Sequence, residues 1–467
     1  MASVHVERLD HLGLIACMIK DLGLISMIDA RLVPDEQEDI TPGEAVAGMI
    51  LNGLGFAHRP LSLTPQFFTN KPLDLLFRPG VRAEMFNRFK LGRTLDEVHA
   101  YGCDLLLSEL ALAGCAQERL EQRFHHLDTT SFSLRGNSVP ESDQQAIRIT
   151  HGYSKDHRPD LKQVVLELLV SQDGGVPLVS KSWDGNTSDT PIFKERAEAL
   201  MAAFARSPTP KYLVADAKLS TEDTAAPLAK LGFIPRIPGT LKLVSQAMTQ
   251  ALEEDRWQRL DEATRSCCLA LCHYGLAQRW LVVSSQAAME RAEASITKAQ
   301  QREWEAIEKQ LLHLHAKRFE TPEAAQAALQ VLSKSWRSHQ LDASRVIDHK
   351  RYACKGRPTP TSPLKAIAWQ MHAQVRPAQE VIEAHKQQRA CFVIGTNIPA
   401  CHVSDAEVIR AYKAQSGVEG GCRFLKDPLF FVSSLFVKKP SRIQGLLMVM
   451  TLALLVYSLT QRRLRQQ

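Results

Sequence analysis

The sequence predicts an α/β fold with a mixed sheet, preceded by a helical region and interrupted by an α+β insertion. Three observations carry that reading. Hydrophobic periodicity is helical through most of residues 1–120. From residue 124 the period shortens to two, and strand and helix patterns then follow as β-β-β-α-β-α-β to residue 240, the succession that builds a layered α/β domain with a mixed sheet. A long charged helical pattern with separate strand-like runs occupies the stretch to residue 390, where strand character resumes. At roughly 150 residues per domain, a chain of 467 residues has room for about three domains, or for one large domain with an insertion.

In the N-terminal region, Thr41-Pro42-Gly43-Glu44 has the form of a capping box with proline at the first helical position. Arg93-Thr94-Leu95-Asp96-Glu97 reads as a second helix start, opening a long helix through DEVHAYGCDLLLSELALAG. FHHLDTTSFSLRG, 124–136, alternates as a strand should, and RITHGYSKDHRPDLKQVVLELLVSQDGG reads as two more. PLVSKSWDGNTSDT adds a strand and a loop, PIFKERAEALMAAFA a helix, and KYLVADAKLS a short apolar strand ending at Asp216. STEDTAAPLAKLG is a helix and FIPRIPG a short strand. In the insertion, QAAMERAEASITKAQQREWEAIEKQLLHLHAKRF is a charged helix, CCLALCHYGLAQRWLVVSS and LKAIAWQMHAQVRP are strands, and Lys355–Pro360 is a linker. ACFVIGTNI is a strand, and residues 404–426 read as one helix, with Ser404 as cap and Glu407 at the capping-box position. The boundaries drawn are 1–120 for the helical N-terminal region, 121–240 for the first part of the core, 241–388 for the insertion and 389–467 for the last part of the core.

Composition narrows the class further. With 45% apolar and 23% charged residues the chain is an ordinary folded protein. Lysine and arginine number 57 against 51 acids, and the whole excess lies in residues 428–467, which hold six basic residues and no acid. Net charge alone therefore does not diagnose a nucleic-acid binder. The ten cysteines form no CxxC pair; Cys267, Cys268, Cys272 and His273 lack a second pair at finger spacing, and buried free thiols in a reducing cytoplasm are the better reading. The N-terminus has acids and no apolar h-region, so it does not read as a secretory signal. Residues 443–459 form an apolar run of 17 residues, at the short edge of a membrane span; a core helix that is apolar all round is the preferred reading, and no membrane partner is expected.

Three acids are candidates for chemistry. Asp128 interrupts a hydrophobic strand and Asp216 ends the strand YLVAD. A carboxylate in a strand is expensive unless it is paired, hydrogen-bonded or bound to metal, and a satisfied structural acid is the commoner outcome for either taken alone. Tyr412, Gln415, Glu419 and Lys426 are spaced so that in a continuous helix they share a face about 60° wide. Such a face can address phosphate oxygens and a cation together; it can equally be a solvated stripe. Two strand acids and a helix acid are a set suited to divalent cations, which want hard oxygen ligands and which, as a pair about 4 Å apart, cleave phosphodiesters.

In LDTTSFSLRG, ITHGYSKDHRPDLKQ, WDGNTSDT, YLVADAKLS and the stretch from Tyr412 to Arg465, the sequence resembles bacterial insertion-sequence transposases of the DDE type. Their C-terminal signature is Y-x2-R-x3-E-x6-K; here Tyr412, Gln415, Glu419 and Lys426 stand at those positions, with Gln415 in place of the arginine. The resemblance implies a ribonuclease-H-like core, with Asp128, Asp216 and Glu419 as catalytic metal ligands. It also implies two Mg2+ ions, with Mn2+ as a substitute, and Tyr412 and Lys426 as grips on phosphates at the transposon end. Gln415 is a candidate DNA contact as well, although it cannot supply the charged fork of arginine. The family's insertion between the second and third acids agrees with a gap of 203 residues from Asp216 to Glu419, against 88 from Asp128 to Asp216.

The implied function is cut-and-paste DNA transposition, acting on terminal inverted repeats and on target DNA, by a homodimer in the cytoplasm. A metal-dependent nuclease on the same core, or a non-catalytic DNA-binding derivative, are the alternatives. Lys155, Arg158 and Lys162, where the second and third strands meet, are candidate DNA-backbone contacts, as against surface charges in a hairpin. Trp183 is a candidate base-stacking residue, as against a packing tryptophan. His126 could line the site or simply pack, and Asp189 is a further carboxylate nearby, as against a cap on the next helix. The N-terminal region is the candidate for end binding or dimer contacts.

Overall fold

The computed structural model describes residues 6–56, 60–134, 146–205, 207, 209–353, 364–427 and 438–466. The chain forms two compact units, one of Met1–Pro238, Ala270–Trp280 and Ile394–Gln467, the other of Gly239–Leu269 and Leu281–Val393.

The first unit is built on a five-stranded sheet. Its strands are β1 (Phe124–Leu134), β2 (Lys162–Ser171), β3 (Pro177–Trp183), β4 (Tyr212–Ala215) and β5 (Gly232–Pro235), in the order β3-β2-β1-β4-β5. β1, β2 and β3 are antiparallel neighbours, whereas β4 pairs parallel with both β1 and β5. The parallel step needs a crossover, supplied by the helix Asp189–Ala205 between β3 and β4. β2 is buried along all but its first residue, with Val164, Leu166, Leu168 and Val170 on one face and Val165 and Leu169 beside Gln163 and Glu167 on the other, as a strand covered on two sides must be.

One face of the sheet packs Leu127, Val165, Leu169 and Leu213 against Ile192, Phe193, Ala197 and Leu200 of the crossover helix. The other face shares one continuous core with the N-terminal helices and with the helix Pro440–Gln466. That C-terminal helix is apolar all round because it is enclosed all round. It is long and apolar enough to cross a membrane, yet 83% of its most apolar window is buried inside the protein, and its residues from Leu446 to Leu459 share one core with Leu12, Ile50, Leu95, Leu106 and Leu168. Gly445 lets the helix come close: a Cβ there would stand 2.9 Å from the Leu95 carbonyl oxygen. The basic residues at its ends are internal ties. Arg442 grips Asp96 at 2.8 and 2.6 Å, Arg462 grips Asp173 at 2.8 and 2.7 Å, and Arg463 reaches Glu118 and Asp21.

The second unit packs the helices Gln286–Ala316 and Pro322–Ser333 on the base of a ribbon of two 14-residue strands, His339–Tyr352 and Leu364–Pro377, through Ile307, Leu311, Leu329 and Met371. Trp304, on the long charged helix, lies 5.6 Å from the ring of His339. The linker expected at Lys355–Pro360 and the end of the first strand at 135–136 fall outside the described residues.

Three expected elements differ. The helix expected from residue 93 begins at Arg88, capped by the Asn87 side chain, and ends at Tyr101; Gly102, at φ +108°, breaks it before the helix Cys103–Gln117. RITHGYSKDHRPDLKQVVLELLVS gives one strand, not two, because residues 151–161 form a loop and only Thr150 bridges back to Gln163. The single helix expected over 404–426 is two, Asp405–Lys413 and Ser416–Leu425. The capping boxes at Thr41/Glu44 and Ser404/Glu407 form as read.

Candidate active site

The parallel pairing of β1 and β4 sets Leu127 opposite Ala215. The next residue on each strand is an aspartate, so Asp128 and Asp216 leave neighbouring strands side by side, about 4.8 Å apart in the backbone. Each carboxylate accepts a short-range amide hydrogen bond: Asp128 from the Thr129 N–H at 2.7 Å, Asp216 from the Lys218 N–H at 2.8 Å. Those bonds do not offset burial. Desolvation pushes the Asp128 carboxyl up to about 6, and the charges of Asp216 and Asp189 push the same way against the pull of Lys155. Asp216 is also raised, by burial first and then by Asp189.

Asp189, the further carboxylate of the sequence, is thus a third acid beside this pair. It stands at the start of the crossover helix and accepts from the Thr129 hydroxyl at 2.5 Å. Lys155 completes the group: its ammonium donates to the Thr129 carbonyl at 2.7 Å and to the Thr129 hydroxyl oxygen at 2.6 Å, and lies 3.5 Å from Asp189. The sequence signal for Asp189 was present in the acid closing WDGNTSD, but only the fold brings that loop beside β1.

Glu419 arrives on the helix Ser416–Leu425, which packs on β1 and β2. Its side chain is exposed. It shares neighbours with the aspartates: the Tyr412 hydroxyl, raised chiefly by burial, feels both Asp216 and Glu419, and the buried Cys422 thiol, pushed up to about 12, feels both Asp128 and Glu419. Like charges at close range repel, and the acids stand apart: among the described residues no three metal-ligating side chains are close enough to enclose one ion. The donor set still suits a hard divalent cation, because two half-buried carboxylates are both raised despite the lysines near them and every donor is oxygen.

Gln415, a candidate DNA contact in the sequence, is turned into the protein. It is 6% exposed; its amide N–H donates to the Leu127 carbonyl at 3.0 Å and its oxygen pairs with His126 Nδ1 at 2.9 Å. It sits at the break between the two helices, where Gln415 N–H and Gly417 N–H bond three residues back instead of four. The 60° face expected from an unbroken helix therefore does not run from Tyr412 to Lys426. His126, buried and neutral, packs beside the site rather than lining it.

The other expected DNA contacts are placed as follows. Lys426 pairs with Asp156 at 2.7 Å, Arg158 with Asp160 at 2.7 Å, Tyr412 hydrogen-bonds Arg236, and Lys162 is exposed at the start of β2. Trp183 is not a free stacking surface: its indole N–H donates to the buried Glu167 at 3.0 Å and Lys181 lies 4.1 Å over its ring. Lys155 points into the acids rather than out to a backbone.

A family model described as "Transposase DDE domain" matches residues 122–456, and one described as "Domain of unknown function (DUF4277)" matches residues 4–112. No curated protein matches the chain. The cryo-EM structure of a piggyBac transposase synaptic complex with hairpin DNA is similar over 97% of this chain and 76% of its own, at 8% identity and a TM-score of 0.39.

Proposed function

The chain belongs to the family of transposases with a DDE domain, and from that premise we propose that it cuts DNA at the ends of a mobile element and joins the freed 3′-hydroxyls to target DNA, using Asp128, Asp216 and Glu419. The observation that carries the assignment is the placement of Asp128 and Asp216 at the ends of adjacent parallel strands, with the helix bearing Glu419 tied to the same strand through Gln415. The strand order β3-β2-β1-β4-β5 supports a ribonuclease-H-like core.

Members of this family act with divalent cations, and we assign two Mg2+ ions to the three carboxylates. Bound there, such ions supply an activated oxygen nucleophile and neutralise charge on the leaving oxygen. The chain's own contribution is positional. Burial makes the aspartates costly as bare anions, which favours a cation between them. Gln415 satisfies one carbonyl and one histidine N–H inside the protein and so fixes where the Glu419 helix meets β1. Tyr412, Lys426, Arg158 and Lys162 are our candidates for contacts to the DNA backbone, each exchanging a present partner or solvent for a phosphate. Two element ends require two active sites, so the working form is a homodimer, acting in the cytoplasm on DNA of the nucleoid.

The test uses the full chain, Mg2+ and a supercoiled plasmid carrying the DNA segments that flank its own coding sequence. Excision with joining to target DNA is expected. Asp128→Asn, Asp216→Asn and Glu419→Gln should each lose several kcal/mol of transition-state stabilisation, roughly 1,000-fold in rate. Cleavage without joining would reassign the chain as a nuclease; DNA binding with no cleavage would make it a non-catalytic derivative.

A further inference from the structure

Among the aspartates beneath the site stands one basic side chain whose position the expected chemistry does not use. Lys155 belongs to the loop of residues 151–161. The loop is held at a fixed height over β1: the Gln163 side chain donates to the Tyr153 carbonyl at 3.1 Å and to the Gly185 carbonyl at 2.7 Å, and the Lys155 N–H donates to the Ser131 hydroxyl at 3.2 Å. Gly185 is pressed so close that a Cβ there would stand 2.0 Å from the Gln163 carbonyl oxygen. One glutamine thus fixes both the loop that delivers Lys155 and the loop that delivers Asp189. From that frame the ammonium reaches Thr129 and Asp189, while Asp128 and Asp216 feel its charge.

We propose that Lys155 is the resident counter-cation of this acid cluster, a positioning residue that holds Thr129 and Asp189 in place and competes electrostatically with divalent cations for the carboxylates. A lysine ammonium is a compact point charge on a flexible stem. It can compensate buried acids, and it can withdraw toward solvent when a doubly charged ion arrives. Repulsion between that ion and the ammonium then weakens ion binding. The same charge that keeps the cluster assembled lowers its affinity for metal. The inference takes from the transposase reading only the expectation that divalent ions bind here.

Isothermal titration of Mg2+ or Mn2+ alone into the full-length protein tests it. Lys155→Met should bind the ion at least about tenfold more tightly than the native chain, and Lys155→Arg, which keeps the charge, should bind within about threefold of it. In chelator, Lys155→Met should lower Tm by roughly 2 °C or more, and that loss should be smaller in an Asp128→Asn background, because one of the charges it compensated is gone. Lys155→Gln serves where the methionine variant does not fold. Equal or weaker ion binding by the uncharged variants overturns the proposal. So does a loss of Tm that is the same in both backgrounds, which would mark a purely structural lysine. A native chain that binds no divalent ion would count against the metal assignment, while the chelator comparison would still decide the role of Lys155.

Discussion

Replacing Asp128 by asparagine should make the metal-free protein more stable, not less. The carboxyl is held up to about 6 by burial, with Asp216 and Asp189 adding to the cost of its charge, against an ordinary value of 3.8 in an unfolded chain. At 1.36 kcal/mol for each tenfold, ionising it inside the fold costs about 3 kcal/mol. The sign follows from proton counting. Between pH 4 and pH 6 the folded chain holds this proton more tightly than the unfolded one, so stability falls as pH rises through that window and stays low above it. Asparagine keeps the shape and an oxygen to accept the Thr129 N–H, but never ionises. Asp128→Asn should therefore exceed the native protein by up to about 3 kcal/mol at pH 8 in chelator, with the gap closing toward pH 4. Denaturant unfolding of both proteins at pH 8 and pH 4.5 measures it. Saturating Mg2+ should raise the stability of the native chain and leave the variant nearly unchanged. If the variant is no more stable at pH 8, or its advantage is the same at both pH values, the carboxylate is not the strained group described.

Other consequences can be measured on the same preparation. Gln415→Ala leaves the Leu127 carbonyl and the His126 ring without their partner and should cost about 1–3 kcal/mol in chemical unfolding; excision should fall with it, because the Glu419 helix loses its tie to β1. Arg462→Ala removes a two-pronged grip on Asp173 and should cost about 2 kcal/mol by the same measure; a loss below about 0.5 kcal/mol would mean the C-terminal helix is held by apolar packing alone. His125 lies buried against Phe204 and burial pushes its ring down to about 3. Its contribution is therefore intact above pH 6.5 and is lost as pH falls below that, so His125→Phe should gain about 3 kcal/mol over the native chain at pH 4 and much less at pH 7.

Much of this site was readable because a charged residue in an apolar strand is a physical contradiction. Asp128 within β1 and Asp216 at the end of β4 announced themselves in that way, and the sheet then set them side by side. Glu419 was legible only through the family spacing. Only an unbroken helix, turning 100° at each residue, would align Tyr412 with Glu419 and Lys426, and the chain breaks after Lys413. Gln415 was unreadable as an anchor, since nothing local tells a buried amide from an exposed one; the partners that satisfy it come from residues 126 and 127. Asp189 and Lys155 were both named from the sequence, but their meeting was hidden for a related reason. Both reach the site from loops whose positions depend on Gln163 and Gly185, contacts between segments that no local pattern encodes. The apolar run at 443–459 was the opposite case, where hydrophobicity on every side forced an enclosed helix.

That enclosed helix has a bearing on synthesis. The segment around which the first hundred residues wrap is made after both aspartates, and the arginines that fasten it find their acids at Asp21, Asp96, Glu118 and Asp173. A nascent chain halted before residue 440 would carry both aspartates yet lack the wedge behind their sheet. Fragments that stop short of this helix should therefore fail to fold around the sheet, and a stable core should form only once residues 440–466 have been made.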